Sequence, residues 1–191
     1  MAATRTNILI VHGAGNNPSG NWFPWLKREL EQAGHAVIVP AFPTPEGQTF
    51  PAWHAVAQAA LKNLDPADTI LVGHSTGAGF VLRLAELTGS PYRAVFSVCP
   101  FVRDLGLDPY DRLNATFVHH AFNSTRIKRG AHILFCFAGS DDPYVPLPCA
   151  REAADLAGAE LTVVAKGGHL NAESGYLEFP LLCDKILQTA K

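Results

Sequence analysis

Charge is scarce in this 191-residue chain: 17% of its side chains are Asp, Glu, Lys or Arg, against about 25% in average soluble proteins. The charge present nearly balances, with 15 basic and 17 acidic residues and a formal net charge of -2. With no basic excess to neutralise phosphates, no nucleic-acid partner is expected. Long apolar runs are missing too. Asn7-Ile8-Leu9-Ile10-Val11 is too short for a signal-peptide core. No later run reaches the ~18 apolar residues of a spanning helix, so no membrane partner is expected. Cys99, Cys136, Cys149 and Cys183 lie far apart with no CxxC pair. They read as buried thiols in a reducing cytoplasm. The eight histidines show neither HExxH nor HxH spacing, so no metal site is expected. The phosphate-loop pattern GxxxxGK[ST] is absent, and Gly13-x-Gly15 lacks the third glycine of a dinucleotide fingerprint, having Pro18 in its place. No cofactor is expected.

What the chain does have is glycine, proline and apolar residues: 16 Gly, 14 Pro and 48% hydrophobic. That is enough to build one core, and residues 1–191 read as a single domain. Short apolar segments at Asn7–Val11, Val37–Val39, Thr69–Gly73, Arg93–Val98, His132–Ala138 and Leu161–Ala165 predict strands. Helical patterns fall between them at Trp22–Ala33, Ala52–Leu64, Thr76–Leu87 and Leu147–Leu156. A closing helix spans Tyr176–Thr189, with Pro180 interrupting its first turns, and Pro40–Pro51 reads as a loop. Apolar strands alternating with helices imply an α/β fold, a mostly parallel sheet of about six strands covered on both faces. Such sheets hold their ligands beyond the carboxyl ends of the strands. The stretch Phe101–Gly130 has no clear period and is either a partial lid or a helix pair.

Chemically capable residues collect at those strand ends. Gly73-His74-Ser75-Thr76-Gly77 is a GxSxG between a predicted strand and a predicted helix, the setting of a nucleophile elbow. A serine nucleophile needs a base and a group to orient it, in the chain order Ser, acid, His. Asp141 and Asp142 follow the fifth strand, and His169 follows the sixth. Asp142 is the choice for the acid, with a cap or turn role falling to its neighbour. His12 and His74 abut strand ends and read as shaping the elbow. A tetrahedral oxyanion needs two N–H donors. Thr76 supplies one, and the turn after the first strand supplies the other, from Ala14 or alternatively Gly15. Phe42, Phe50 and Phe101 lie in loops after strands and are candidates for substrate binding, whereas Trp25 and Trp53 have core spacing.

With these residues in view, the chain resembles the α/β-hydrolase superfamily. Gly73–Ala78, Gly139–Pro146 and Gly167-Gly168-His169 with Asn171–Gly175 resemble the retinoblastoma-binding protein nine type of small serine hydrolase. The resemblance implies a compact α/β-hydrolase fold without a large cap domain. It implies Ser75 as nucleophile, Asp142 as orienter and His169 as base. The pocket-protein motif LxCxE is absent, since Leu147-Pro-Cys149-Ala-Arg151 and Leu181-Leu-Cys183-Asp-Lys185 both lack the final glutamate. The expected activity is hydrolysis of a small-molecule acyl substrate, an ester or else a thioester or amide. The competing expectation is a catalytically silent protein-binding module on the same fold.

Overall fold

The computed structural model describes residues 5–190. Six strands form one sheet: β1 (Asn7–Val11), β2 (Ala36–Ile38), β3 (Thr69–His74), β4 (Ala94–Val98), β5 (Leu134–Gly139) and β6 (Glu160–Val164). Their order is β2-β1-β3-β4-β5-β6, and every pairing is parallel. The helices are α1 (Phe23–Gln32), α2 (Phe50–Ala60), α3 (Thr76–Leu87), α4 (Asp108–Val118), α5 (Ser124–Arg129), α6 (Leu147–Ala157) and α7 (Pro180–Thr189).

The unbroken apolar runs in the strands follow from burial on both faces. Along β1, Ile8 and Ile10 point to one side, where α1 contributes Phe23, Leu26 and Leu30 and α7 contributes Leu182 and Ile186. Leu9 and Val11 point to the other side, against Trp53 of α2, Phe80 of α3, Phe117 of α4 and Ala150 of α6. A strand's side chains alternate between faces, so neither set can be polar here.

Several boundaries differ from the sequence expectation, and proline explains two of them. Helix α2 starts at Phe50, two residues before the expected Ala52. Pro51 occupies the first turn, and Thr49 caps the helix by accepting the Ala52 N–H at 3.3 Å. A missing N–H costs nothing in a first turn, where the amides are unpaired anyway. For the same reason Pro180 opens α7 and does not interrupt it, so the stretch from Tyr176 lies outside the helix. Residues 101–130 form the helix pair α4 and α5. The approach to α4 is tied down by the Asp111 carboxylate, which accepts the Leu105 and Leu107 N–H groups at 2.8 Å each.

Candidate active site

Ser75 joins β3 to α3 with φ 57° and ψ -120°. A non-glycine residue in such a conformation stores about 1–3 kcal/mol of strain and persists only where its surroundings enforce it. Here the enforcement is close packing. A Cβ on Gly77 would sit 2.5 Å from the Val11 carbonyl oxygen and 2.6 Å from that of His12, so only glycine lets the start of α3 press against β1. The Ser75 N–H donates to the Val98 carbonyl at 2.8 Å, which ties the turn to β4 as well.

His169, after β6, lines the same cavity as Ser75. Its Nδ1 donates to Asp142 Oδ2 at 2.8 Å, with the two side chains 8% and 1% exposed. The other Asp142 oxygen accepts the Tyr144 and Val145 N–H groups, each at 2.9 Å. Burial pushes the Asp142 carboxyl up. The His169 hydrogen bond and charge and these amides outweigh it, and the net shift is down. Asp142 therefore stays ionised beside the imidazole. Asp141 has different work: its Oδ1 accepts the Gly168 N–H at 2.9 Å and holds the loop that carries His169.

The two other histidines at strand ends have their tautomers set by backbone partners. His12 donates from Nδ1 to the Gly13 carbonyl at 2.8 Å and accepts the Phe42 N–H on Nε2 at 3.0 Å. His74 donates from Nε2 to the His169 carbonyl at 2.9 Å. Burial first, then the His169 charge, push it down to about 3, so it is neutral at ordinary pH. Cys99, also fully buried, lies beside Asp142; burial and then the carboxylate charge hold its thiol well above its ordinary value. The donor atoms of His74, Cys99 and His169 lie within 4.8 Å of one another. His169 Nδ1 and His74 Nε2 are hydrogen-bonded, so each ring has only its other nitrogen to offer.

The family model described as Serine hydrolase matches residues 8–188. The chain belongs to the serine hydrolase family. It is 30% identical over 170 residues to serine hydrolase RBBP9 of Rattus norvegicus, covering 87% of this chain and 88% of that protein. It is 26% identical over 181 residues to YdeN of Bacillus subtilis (strain 168), covering 94% and 93%. The crystal structure of the B. subtilis ydeN gene product aligns with a TM-score of 0.88 at 25% identity, over 96% of this chain and 98% of that one. Mouse alpha/beta hydrolase domain-containing protein 10 aligns with a TM-score of 0.71 at 17% identity, over 98% and 90%, and shares the fold. The fold is that of the α/β hydrolases.

In this family member the cavity at the strand ends measures about 180 Å³. Ala14, Thr76 and Phe101 line it, together with Ser75 and His169. Phe42 and Phe50, expected there from their loop positions, are elsewhere. Phe42 packs on Trp53 at 4.9 Å and Phe80 at 5.8 Å, while Phe50 packs on Phe80 at 5.6 Å and Phe117 at 6.2 Å. The Pro-rich loop folds down over α3 and buries Phe42 in the core, and Phe50, the first residue of α2, packs against that core partly buried. The choice between Ala14 and Gly15 narrows as well, because the Gly15 N–H donates to Thr44 Oγ1 at 2.7 Å.

Sequence reasoning missed a second set of cavity residues. Tyr110 and Asn114, one helical turn apart on α4, line it together with Tyr144 and Glu173, and the Tyr110 and Tyr144 rings lie 6.2 Å apart. The Tyr144 hydroxyl donates to Glu173 at 2.8 Å, and its ring lies 5.1 Å from that of His169. Asn114 belongs to a buried polar chain. Gly15 N–H donates to Thr44, Thr44 Oγ1 donates to Gln48 Oε1, and Gln48 Nε2 donates to Asn114 Oδ1 at 2.9 Å. Thr76 Oγ1 donates to that same Asn114 oxygen at 2.8 Å. The chain therefore ties the β1 turn to the start of α3 through α4. A buried Asn beside two other polar residues is a weak sequence signal, since nothing local says which partners the fold will bring.

Proposed function

We propose that this protein hydrolyses small esters through an acyl-enzyme on Ser75, with His169 as base and Asp142 as its orienting partner. The observation that carries the reading is the 2.8 Å bond from His169 Nδ1 to Asp142. It places the ring proton on Nδ1 and leaves the Nε2 lone pair to accept the Ser75 proton. Ser75 Oγ attacks the ester carbonyl as that proton moves to Nε2. The oxyanion then meets the N–H groups of Thr76, at the first position of α3, and of Ala14. Collapse expels the alcohol, which leaves with the proton from His169. Water, deprotonated by His169, then cleaves the acyl-enzyme and restores Ser75.

The cavity size supports a short acyl group: 180 Å³ is below the ~300–1,000 Å³ of pockets for drug-sized ligands. Its lining includes Phe101, Leu105, Leu107 and Val145, with Glu173 and no Lys or Arg, so a neutral acyl chain suits it better than an anion. No helix is long and apolar enough to cross a membrane among the described residues. The four cysteines are free and buried, which supports a reducing cytoplasm as the location. A fluorophosphonate probe tests the reading. The folded protein should be labelled at Ser75, and Ser75→Ala should abolish the label. A folded wild-type protein that takes no label and turns over no p-nitrophenyl ester would show a binding module instead.

A further inference from the structure

The direction of every hydrogen bond around Asn114 can be fixed from backbone groups that cannot change roles. Gln48 also donates from Nε2 to the Leu113 carbonyl at 3.3 Å, and a carbonyl only accepts. The same Gln48 amide nitrogen therefore donates to Asn114, and Asn114 presents its oxygen to both Gln48 and Thr76. Its Nδ2 is the remaining polar group. Among the described residues it makes no hydrogen bond, the bonds to Asn114 all falling on Oδ1. Asn114 is 4% exposed and lines the cavity, and its Nδ2 is not among the fully buried unpaired side-chain atoms, so it keeps contact with the cavity's solvent. A donor that faces the cavity with no protein partner is free to bind a substrate acceptor, and a substrate that supplies one is preferred over one that cannot.

We infer that Asn114 is a substrate-binding and specificity-determining residue, its Nδ2 donating to an acceptor oxygen carried on the acyl group beyond the reacting carbonyl. This rests on the hydrolase reading above. The substrate class is then narrower than small esters: esters of short acids bearing an ether, keto or hydroxyl oxygen. The surrounding wall of Phe101, Leu105 and Leu107 packs against the carbon part of such a chain. The Oδ1 bonds meanwhile hold the amide plane still, so the donor is aimed before substrate arrives.

The test compares p-nitrophenyl methoxyacetate with p-nitrophenyl butyrate, which differ by an ether oxygen in place of one methylene. The readout is the ratio of their kcat/KM values in wild type, Asn114→Asp and Asn114→Leu. Intrinsic reactivity differences cancel when this ratio is compared across variants. Asn114→Asp keeps an oxygen for Gln48 and Thr76 and replaces the donor by a second acceptor oxygen that can carry charge; Asn114→Leu removes every polar contact without adding charge. The ratio should fall by about fivefold or more in both variants, the worth of one hydrogen bond of ~1 kcal/mol. An unchanged ratio in both, or a fall in Asn114→Leu alone, would show that Asn114 only props Thr76. If the Leu variant does not fold, the Asp variant decides by itself. Wild-type turnover with an invariant ratio overturns this inference alone. No turnover of either ester overturns it together with the hydrolase reading.

Discussion

Asp142→Asn alters the proposed catalytic machinery at one atom. Asp142 Oδ1 accepts the Tyr144 and Val145 N–H groups, and Oδ2 accepts His169 Nδ1. The two backbone donors cannot reverse, so the oxygen of the introduced amide must remain with them. Its NH2 then faces His169 Nδ1 at the position where Oδ2 stood, 2.8 Å away. Two donors cannot share that contact. The imidazole relieves it by moving its proton from Nδ1 to Nε2, and Nε2 so protonated cannot accept from Ser75. Loss of the working tautomer in a Ser-His-Asp arrangement costs about 10⁴ in kcat, which at ~1.36 kcal/mol per tenfold is roughly 5.4 kcal/mol of barrier. The assay is kcat on p-nitrophenyl butyrate, with thermal unfolding to establish that the variant is folded. Asp141→Asn is the control. Asp141 accepts only the Gly168 N–H among the described residues, and losing part of one neutral-donor bond should change kcat by less than about tenfold. A folded Asp142→Asn protein with kcat within tenfold of wild type would refute the tautomer argument, and an equally severe Asp141→Asn would refute the division of roles.

Two further outcomes follow from the same neighbourhood. His74 is held at about 3 by burial and by the His169 charge, whereas an unfolded histidine takes up its proton near ~6.5. The unfolded state therefore binds the extra proton between those values, and stability is lost as pH falls from about 6.5 toward 3, by at most ~1.4 kcal/mol per pH unit from this group. His74→Gln should flatten that slope in urea unfolding at pH 7 and pH 5, and an identical slope would mean that His74 does not carry it. Gly77→Ala puts a Cβ 2.5 Å from the Val11 oxygen and 2.6 Å from the His12 oxygen. Both are backbone atoms and neither can swing aside, so the variant should lose about 3 kcal/mol in urea unfolding together with its fluorophosphonate labelling. An unchanged midpoint would show that the elbow yields.

Sequence pattern reached furthest where an element is buried on both faces. Ile8–Val11 of β1 and Ile70–Val72 of β3 are continuous apolar runs because helices cover both sides of the sheet. The proposed triad residues were picked out by a related signal, since Ser75 directly follows β3 and Asp142 and His169 lie a few residues past β5 and β6. α4 was not, because it buries only Asn114, Phe117 and Val118 and leaves most of its surface to solvent, so its helical stripe is short. Phe42 and Phe50 do not line the cavity, because the loop carrying Phe42 folds onto α3 and Phe50 begins α2 rather than lying in the loop. Ala14 and Gly15 could not be separated in sequence either, because the difference lies in Thr44, 29 residues away from Gly15.

The uniform strand direction gives the molecule two unlike ends. The turns that lead into strands, such as Gly34-His35 before β2, Pro66–Asp68 before β3 and Gly158-Ala159 before β6, gather at one of them. Ser75, Asp142 and His169 stand at the other. The six residues of β3 separate the two by about 20 Å at ~3.3 Å per residue. A tether attached through a strand-entry turn would therefore leave the cavity mouth facing solution. An immobilised preparation oriented in this way would keep full substrate access, whereas one fixed through α4 or the Tyr144–Glu173 rim would be blocked by its own support.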